Sequence, residues 1–334
     1  MSDNGSKISM LGPTGKDATG KDFVDANGRQ WQCMGKMVPR DFSVVDDEAG
    51  GRDAAYRPEP EPEARTLAVE ALAEKLQPRR LVGEYEYRLA EPDYEVAERV
   101  LAMSDGVPTT EGYKTAESRY IIGGDDRVRL NPTNGWPASA NAYLAPQGCS
   151  ATMIGPSTAV CAAHCFYNNG WITSNSITFG ANTDAPTAPF GSFLADSLTL
   201  PGAWNHNEWD WDFAVLEFSP SRPDLGRQTG WFGTAQNFDG THTLVGYPSD
   251  KPTPTSWIRS GSFTAAPGSR YQHNLDIIPG DSGAGAYHNT DQRVAGIQST
   301  QWFTTIPPRR WNEVRRWDAT TYNFFHAYGN WPRA

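Results

Sequence analysis

The chain has 334 residues, with 29 Lys and Arg against 39 Asp and Glu and a formal net charge of −10 at pH 7. This acidic balance argues against nucleic acid or an anionic membrane as the main partner, and no apolar run reaches the roughly 18 residues that span a bilayer. Twelve Trp, 25 Pro and 32 Gly favour many short strands and turns over helical bundles.

The first 120 residues are predicted to form an N-terminal pro-segment. They begin with MSDNGSKISMLG, which lacks the basic and apolar regions of a secretory signal. Residues 1–55 are rich in Gly, Asp and Lys, which predicts poor order, and the Pro- and Glu-rich stretch 56–65 is typical of an extended linker. Apolar residues at helical spacing predict two short helices, at 66–77 and at 91–103.

Residues 121–334 have a different character and are predicted to be all-β. Short apolar runs such as FAVLEF and RVAGIQST are separated by Gly, Pro, Asn and Asp, which is typical of a barrel or a sandwich. One helix is predicted at 314–329, with Gly329 as its stop signal.

The stretch IIPGDSGAGAYH (277–288) places Ser282 between an acid and glycines. Such a tetrapeptide fits a surface turn, because Gly, Asp and Ser all favour turns. It also fits a nucleophile whose neighbouring backbone must come close to a substrate. A serine hydroxyl needs a base for this chemistry, and the base needs a third group to fix its tautomer.

His164 is the candidate base, because it follows an apolar run and lies between small residues and a cysteine in TAVCAAHC. The other five histidines have no special setting and are predicted to be ordinary surface or half-buried imidazoles: His206, His242, His273, His288 and His326. Asp212 directly precedes the apolar run FAVLEF, where an acid must be paired or hydrogen-bonded. Asp210 is the alternative. The chain order His164, Asp212, Ser282 is that of chymotrypsin-type double barrels.

Residues 120–334 resemble the bacterial glutamyl-endopeptidase branch of the chymotrypsin-like serine proteases. Five blocks carry the resemblance in order: IIGGDDRVRL (121–130), GCSATMIGPSTAVCAAHC (148–165), DFAVLEF (212–218), VGYPSDKPTPTSW (245–257) and NLDIIPGDSGAGAY (274–287). The resemblance implies a chymotrypsin-like double β-barrel with a C-terminal helix. It also implies an exported serine endopeptidase that acts on proteins or peptides and needs no cofactor.

The resemblance assigns roles to single residues. It implies that His164 is the general base and then the general acid, that Asp212 orients it, and that Ser282 attacks the scissile carbonyl. The backbone N–H groups of Gly280 and Ser282 would form the oxyanion hole. Ser299 would hydrogen-bond the carboxylate of Asp212.

Cys149 and Cys165 match the disulfide that flanks the catalytic histidine in this family. The two remaining cysteines, Cys33 and Cys161, are either free thiols or a pair.

The substrate-binding positions depart from the glutamate-specific pattern. Gln298 and Ile277 stand where glutamate-specific relatives commonly have a His and a Thr. Asp276 occupies the position at which trypsin-like enzymes hold an Asp for Lys or Arg side chains. Together with Ser299, these residues are the predicted substrate contacts. They leave the specificity open, with a slight lean away from glutamate.

An activation step is predicted at Ile121. Cleavage there would remove the first 120 residues, and the new ammonium would fold inward to pair with Asp281. In the alternative, Asp281 stays solvated and residues 1–120 assist folding or block the cleft as an inhibitor.

Two other functions are alternatives. The chain could be a catalytically inactive, protease-like binding protein, or it could hold a metal ion at His206, Glu208 and Asp210. The intact order of His164, Asp212 and Ser282 opposes the first, and a single histidine makes the second a poor metal site.

Overall fold

The computed structural model describes residues 20–25, 27–37, 69–103, 121–172, 176–183, 188–205, 208–219, 221–236, 240–266, 268–305 and 308–329. The predicted linker at 56–65 lies outside these ranges. None of the described helices is long and apolar enough to cross a membrane.

The N-terminal segment contains four strands and two helices in its described part. They are β1 (Phe23–Val24), β2 (Gln30–Lys36), α1 (Val69–Leu76), β3 (Pro78–Val82), β4 (Tyr85–Leu89) and α2 (Tyr94–Met103). Both predicted helices are confirmed with shorter bounds. The prediction of poor order in 1–55 is wrong for β1 and β2, because Trp31 of β2 is fully buried and anchors that strand in the core.

The first barrel is built from seven strand pieces. They are β6 (Asn141–Ala145), β7 (Cys149–Met153), β8 (Thr158–Cys161), β9 (Ser176–Phe179), β10 (Ser192–Phe193), β11 (Ser197–Pro201) and β12 (Ala214–Glu217). Their order is β11-β12-β8-β7-β6-β9-β10. The sheet curls back on itself, because the strands at its two ends, β10 and β11, follow each other closely in the chain.

The second barrel follows in the chain after the short helix α3 (Leu225–Thr229). Its strands are β13 (Gly233–Thr234), β14 (Gly240–Gly246), β15 (Trp257–Ala266), β16 (Arg270–His273), β17 (Gly285–His288), β18 (Arg293–Thr305) and β19 (Pro308–Arg316). The ring β18-β17-β14-β15-β16-β19 closes because β19 pairs back with β18. The short strand β5 (Val128–Arg129) adds to β15. The predicted double β-barrel is therefore confirmed.

The last helix, α4 (Ala319–Tyr328), begins later than predicted, because residues 314–316 still belong to β19. Asp318 caps it: its side chain accepts a hydrogen bond from the N–H of Thr321, and the Thr321 hydroxyl accepts one from the N–H of Asp318. Gly329 follows the last helical residue, as predicted.

The N-terminal segment continues the sheet of the first barrel. Strand β3 pairs antiparallel with β11, and the sheet runs outward in the order β1-β2-β4-β3-β11. Trp31 and Leu72 lie in the same hydrophobic core as Val215 of the first barrel and Phe324 of α4. The barrel and the N-terminal segment thus share one core.

Candidate active site

His164 and Asp212 are brought together by the pairing of strands β8 and β12. His164 lies in a short 3-10 turn just after β8, and Asp212 lies two residues before β12. Ala214 is opposite Cys161 in the register of these strands. The Nδ1 atom of His164 is 2.8 Å from Oδ2 of Asp212, and the backbone N–H of His164 donates to Oδ1 at 2.9 Å. Both carboxylate oxygens therefore hold the histidine.

Asp212 is fully buried and ionised. Burial acts to raise the pKa of its carboxyl group, but the charge and hydrogen bond of His164 and the hydroxyl of Ser299 outweigh burial, so this pKa lies below its usual value. Ser299 Oγ donates to Oδ2 at 2.5 Å, as the resemblance implies. Because the ionised carboxylate can only accept, Nδ1 of His164 carries the proton and Nε2 is left as the basic nitrogen.

Ser282 lies in the loop before β17, on the side of the second barrel that faces His164. Its carbonyl oxygen accepts from the N–H of Ser150 at 2.7 Å and lies 3.9 Å from Sγ of Cys165. Ser282 Oγ and His164 Nε2 are both buried, and neither has a hydrogen-bond partner among the described residues. A hydroxyl donor and a basic nitrogen, both left without other partners, are the two groups that a nucleophile–base pair requires.

The turn around Ser282 needs glycine on both sides. Gly280 has a φ of +105°, and a Cβ atom there would lie 2.2 Å from the carbonyl oxygen of Tyr247. Gly283 has a φ of +84°, and its Cβ would lie 2.2 Å from the carbonyl oxygen of Ser150. In the described part of the chain, the N–H groups of Gly280 and Ser282 have no acceptor. They can therefore donate to an anion bound beside Ser282.

Asp281 has a partner that the sequence analysis missed. Its carboxylate forms an ion pair with Arg259 of β15, with 2.7 Å between Nη2 and Oδ1, and both side chains are fully buried. The expected pair between Asp281 and an ammonium at Ile121 rested on a buried carboxylate that lacked a cation. That reasoning is wrong, because Arg259 supplies the cation before any cleavage.

The chain near Ile121 lies against Asp276 instead. The N–H of Ile122 donates to Oδ1 of Asp276 at 2.7 Å, and the N–H of Asp126 donates to Oδ2 at 3.2 Å. Asp276 is buried, with 2% of its surface exposed, and so is Ile277 next to it.

Gln298 is turned into the second barrel. Its Oε1 accepts from Nε2 of His273 at 2.9 Å, and its Nε2 lies 3.3 Å from the carbonyl oxygens of Thr300 and Glu313. We expected a substrate contact from Gln298, but its amide is used inside the protein.

His273 and His242 are also buried, although we predicted ordinary surface or half-buried histidines. The ring of Phe263 stacks on both, with centroids 4.4 Å from His273 and 4.6 Å from His242. Burial lowers the pKa of His273 to about 3, so this imidazole is neutral and can donate through Nε2. Arg259 and Phe263 occupy inward positions of β15. This pattern was the available sequence signal for the buried interior of the second barrel.

The structure contains the disulfide that the resemblance implies, and it resolves the open state of the other two cysteines. Cys149 and Cys165 form a disulfide, with Cα atoms 6.3 Å apart, while Cys33 and Cys161 are free. His164 has a ring nitrogen within 4.8 Å of both disulfide sulfurs, but oxidised sulfurs offer no thiolate to a metal. Burial raises the pKa of the Cys161 thiol well above its usual value.

The alternative metal site has little support from its described members. His206 lies outside the described residues. Asp210, which was also the alternative to Asp212, faces Arg270, with 3.2 Å between Nε and Oδ1, and the N–H of Ser269 donates to the same carboxylate at 3.3 Å. The carboxylate of Asp210 is thus held by an arginine of the second barrel rather than by His164.

Known proteins resemble this chain most clearly in the two barrels. The family model described as trypsin matches residues 121–310. The glutamyl endopeptidase of Bacillus licheniformis is 30% identical over 187 residues, which cover 53% of this chain and 57% of that protein. A glutamyl endopeptidase of Staphylococcus aureus is 24% identical over 192 residues, covering 54% of this chain and 52% of its own length. The chain thus spans just over half the length of these relatives.

A solved structure supports the fold. The Glu endopeptidase structure in complex with MPD has a TM-score of 0.55 and 24% identity, and the match covers 62% of this chain and 98% of that one. At this identity the likeness shows the double-barrel architecture alone.

Proposed function

This chain belongs to the trypsin family, and we propose that it is a serine endopeptidase that cleaves proteins or peptides through an acyl-enzyme. The observation that carries the proposal is the His164–Asp212 pair at 2.8 Å, together with two buried atoms that have no hydrogen-bond partner among the described residues, His164 Nε2 and Ser282 Oγ.

In the proposed mechanism, His164 Nε2 takes the hydroxyl proton of Ser282 as Oγ bonds to the scissile carbonyl carbon. The developing oxyanion accepts hydrogen bonds from the N–H groups of Gly280 and Ser282, and each such donor is typically worth about 3–4 kcal/mol. His164 then gives its proton to the leaving amine, and the C–N bond breaks. A water molecule, deprotonated by His164, releases the acyl group by the reverse sequence. Asp212 stabilises the imidazolium throughout.

The test is hydrolysis of a peptide library by the matured protein and by Ser282→Ala. The variant should lose all turnover above background, because the nucleophilic oxygen is gone. Ser262→Ala, which removes an exposed hydroxyl of β15, is the matched control and should be as active as the parent chain. Turnover that persists in Ser282→Ala would refute the proposed role of this serine, and an inactive parent chain would favour the protease-like binding protein.

We also propose that the protein is exported as a zymogen and is cleaved before Ile121. The disulfide Cys149–Cys165 supports an oxidising compartment. Because Ile122 donates to Asp276, a new ammonium at Ile121 would form beside Asp276, while Asp281 keeps Arg259. Native and acetylated proteins that begin at Ile121 should therefore differ in substrate affinity. Full activity in the uncut chain would rule out the zymogen.

The proposed substrate specificity differs from the one that the names of the relatives indicate. Those names indicate glutamyl endopeptidases, but Asp276 is a buried acid at the predicted substrate pocket, and Gln298 is committed to the barrel interior. An acidic substrate side chain beside Asp276 would meet a like charge. We therefore expect the peptide library to show a preference other than glutamate, and a strict glutamate preference would overturn this part.

A further inference from the structure

We propose that the N-terminal module, defined as residues 20–37 and 69–103, is a lasting subunit of the enzyme. In this proposal the module stays bound to the first barrel and to α4 after the chain is cut between residues 104 and 121. It supports the active site and is not discarded. The proposal concerns association, and only its activity arm rests on the proposed function.

The module covers an edge of the first barrel. Strand β3 pairs with β11 over four residue pairs, from Leu81 opposite Leu198 to Pro78 opposite Pro201. The contact continues past the strand, where the N–H of Ala203 donates to the carbonyl oxygen of Lys75 at 3.1 Å. An uncovered edge would leave a row of backbone groups of β11 without partners, which is an aggregation hazard.

Two arginines of the module cap the C-terminal end of α4. The last carbonyl groups of a helix have no partner within the helix, and positive charge is favourable there. Nη1 of Arg29 donates to the carbonyl oxygen of Ala327 at 3.0 Å, and Nη2 of Arg80 donates to that of Tyr328 at 2.8 Å. The end of α4 therefore depends on charges from the far end of the chain.

Arg80 is half-buried at the centre of this contact. Its Nε donates to Oγ1 of Thr199 in β11 at 3.0 Å, and its guanidinium lies 4.3 Å from the ring centroid of Trp31. Burial lowers the pKa of Arg80, while the charges of Asp25 and Glu217 act in the opposite direction. Asp25 belongs to the module and Glu217 to the first barrel, so both bodies are needed to balance this charge.

The same contact reaches the catalytic histidine. Beyond β11, the chain carries Trp204 and Trp209, whose ring centroids lie 6.5 Å and 6.0 Å from that of His164. Arg79 of β3 lies over the ring of Tyr167, three residues after His164, at 4.7 Å, and it also donates to the Tyr167 hydroxyl. The module thus contacts Tyr167, close to His164 in the chain, and pairs with the strand that leads to Trp204.

The first experiment measures association without activity. The full chain is made with Ser282→Ala, so that it cannot process itself, and with a recognition sequence for a site-specific viral protease between residues 104 and 120. After cleavage, both fragments should elute together in gel filtration under native conditions and separate only in denaturant. Fragments that separate in native buffer would overturn the proposal.

The second experiment tests the arginine contacts in the same cut protein. Arg80→Met should raise the dissociation constant of the fragments by about tenfold or more, since its charged hydrogen bonds to Thr199 and Tyr328 are lost. Arg29→Met removes the other arginine that caps α4, and it should also raise the dissociation constant of the fragments. Arg99→Met is the matched control, because Arg99 pairs with Glu95 of its own helix and lies on the same module. Equal dissociation in all three variants would overturn the assignment to Arg29 and Arg80.

The activity arm uses the cut chain with Ser282 intact. Its labelling by a fluorophosphonate should slow in Arg80→Met but not in Arg99→Met. Labelling that speeds up when the module dissociates would show an inhibitor and overturn the supporting role. If no form is labelled while the fragments still elute together, the proposed function fails and the association stands.

Discussion

The two barrels hold their halves of the active site in different ways. The first barrel carries His164 and Asp212, and it shares its core and its β11 edge with the N-terminal module. The second barrel carries the Ser282 turn, which is braced from within by the buried Arg259–Asp281 pair. The proposed base therefore depends on packing against a distant stretch of chain, whereas the proposed nucleophile depends on buried charge. Mutations should separate these two kinds of support.

The largest effect is expected from Asp212→Asn in the first barrel. An amide donates where the carboxylate accepts, so His164 would hold its proton on Nε2, and kcat should fall by about 10⁴-fold with the fold intact. Asp291→Asn is the matched control, because Asp291 contacts His288 at the same kind of distance, 2.9 Å, away from the site. The control should keep its kcat within tenfold of the parent chain in steady-state kinetics. A kcat within the same limit for Asp212→Asn would contradict the assignment.

In the second barrel, substitution of Arg259 should lower the stability of the fold. Arg259→Met leaves the carboxylate of Asp281 buried without a cation, which should lower the free energy of unfolding by about 3–5 kcal/mol. The double variant Arg259→Met, Asp281→Asn removes both charges and should recover most of this loss in urea unfolding. Equal destabilisation in the single and double variants would show that charge is not what braces the turn.

The disulfide supports the first barrel beside His164. Replacement of Cys149 and Cys165 by serine should lower the free energy of unfolding by about 3 kcal/mol. The reason is that the unfolded chain regains the conformational freedom of the loop that this disulfide closes. Cys33→Ser, at a half-buried free thiol, is the control and should change stability little. A double serine variant as stable as that control would contradict the expected contribution.

A pH dependence of stability also belongs to the second barrel. The pKa of His273 is lowered from 6.5 to about 3 in the folded protein. Below pH 6.5 the unfolded state binds a proton that the folded state does not, so the contribution of His273 is complete above that pH and is lost as the pH falls toward 3. The slope should be about 1.4 kcal/mol per pH unit at most. His273→Gln should remove this slope from urea unfolding curves, and an unchanged slope would assign the effect to other groups.

Local patterns in the sequence predict much of the site. The small residues around His164, the acid before an apolar run at Asp212 and the glycines around Ser282 each reflect a constraint that acts within a few residues. The same holds for helices α1 and α2, whose apolar spacing is visible in the sequence. Such constraints can be read without knowledge of the fold.

The remaining features arise from contacts between distant parts of the chain. Arg259 is one charged residue in a strand, and nothing near it in the sequence shows that β15 places it against Asp281. The pairing of β3 with β11 joins residues more than a hundred positions apart, so no local pattern indicates it. Gln298 was assigned by its position in a family pattern, while its actual partner, His273, was set by the packing of β16 against β18 and β19.

The most direct test of the central claim is to locate the nucleophile by mass spectrometry. The matured protein is treated with a fluorophosphonate, digested and mapped, alongside His164→Ala. The account predicts one adduct, on the peptide that contains Ser282, and strongly reduced labelling in the variant that lacks the base. An adduct on another residue, or equal labelling of both proteins, would contradict it.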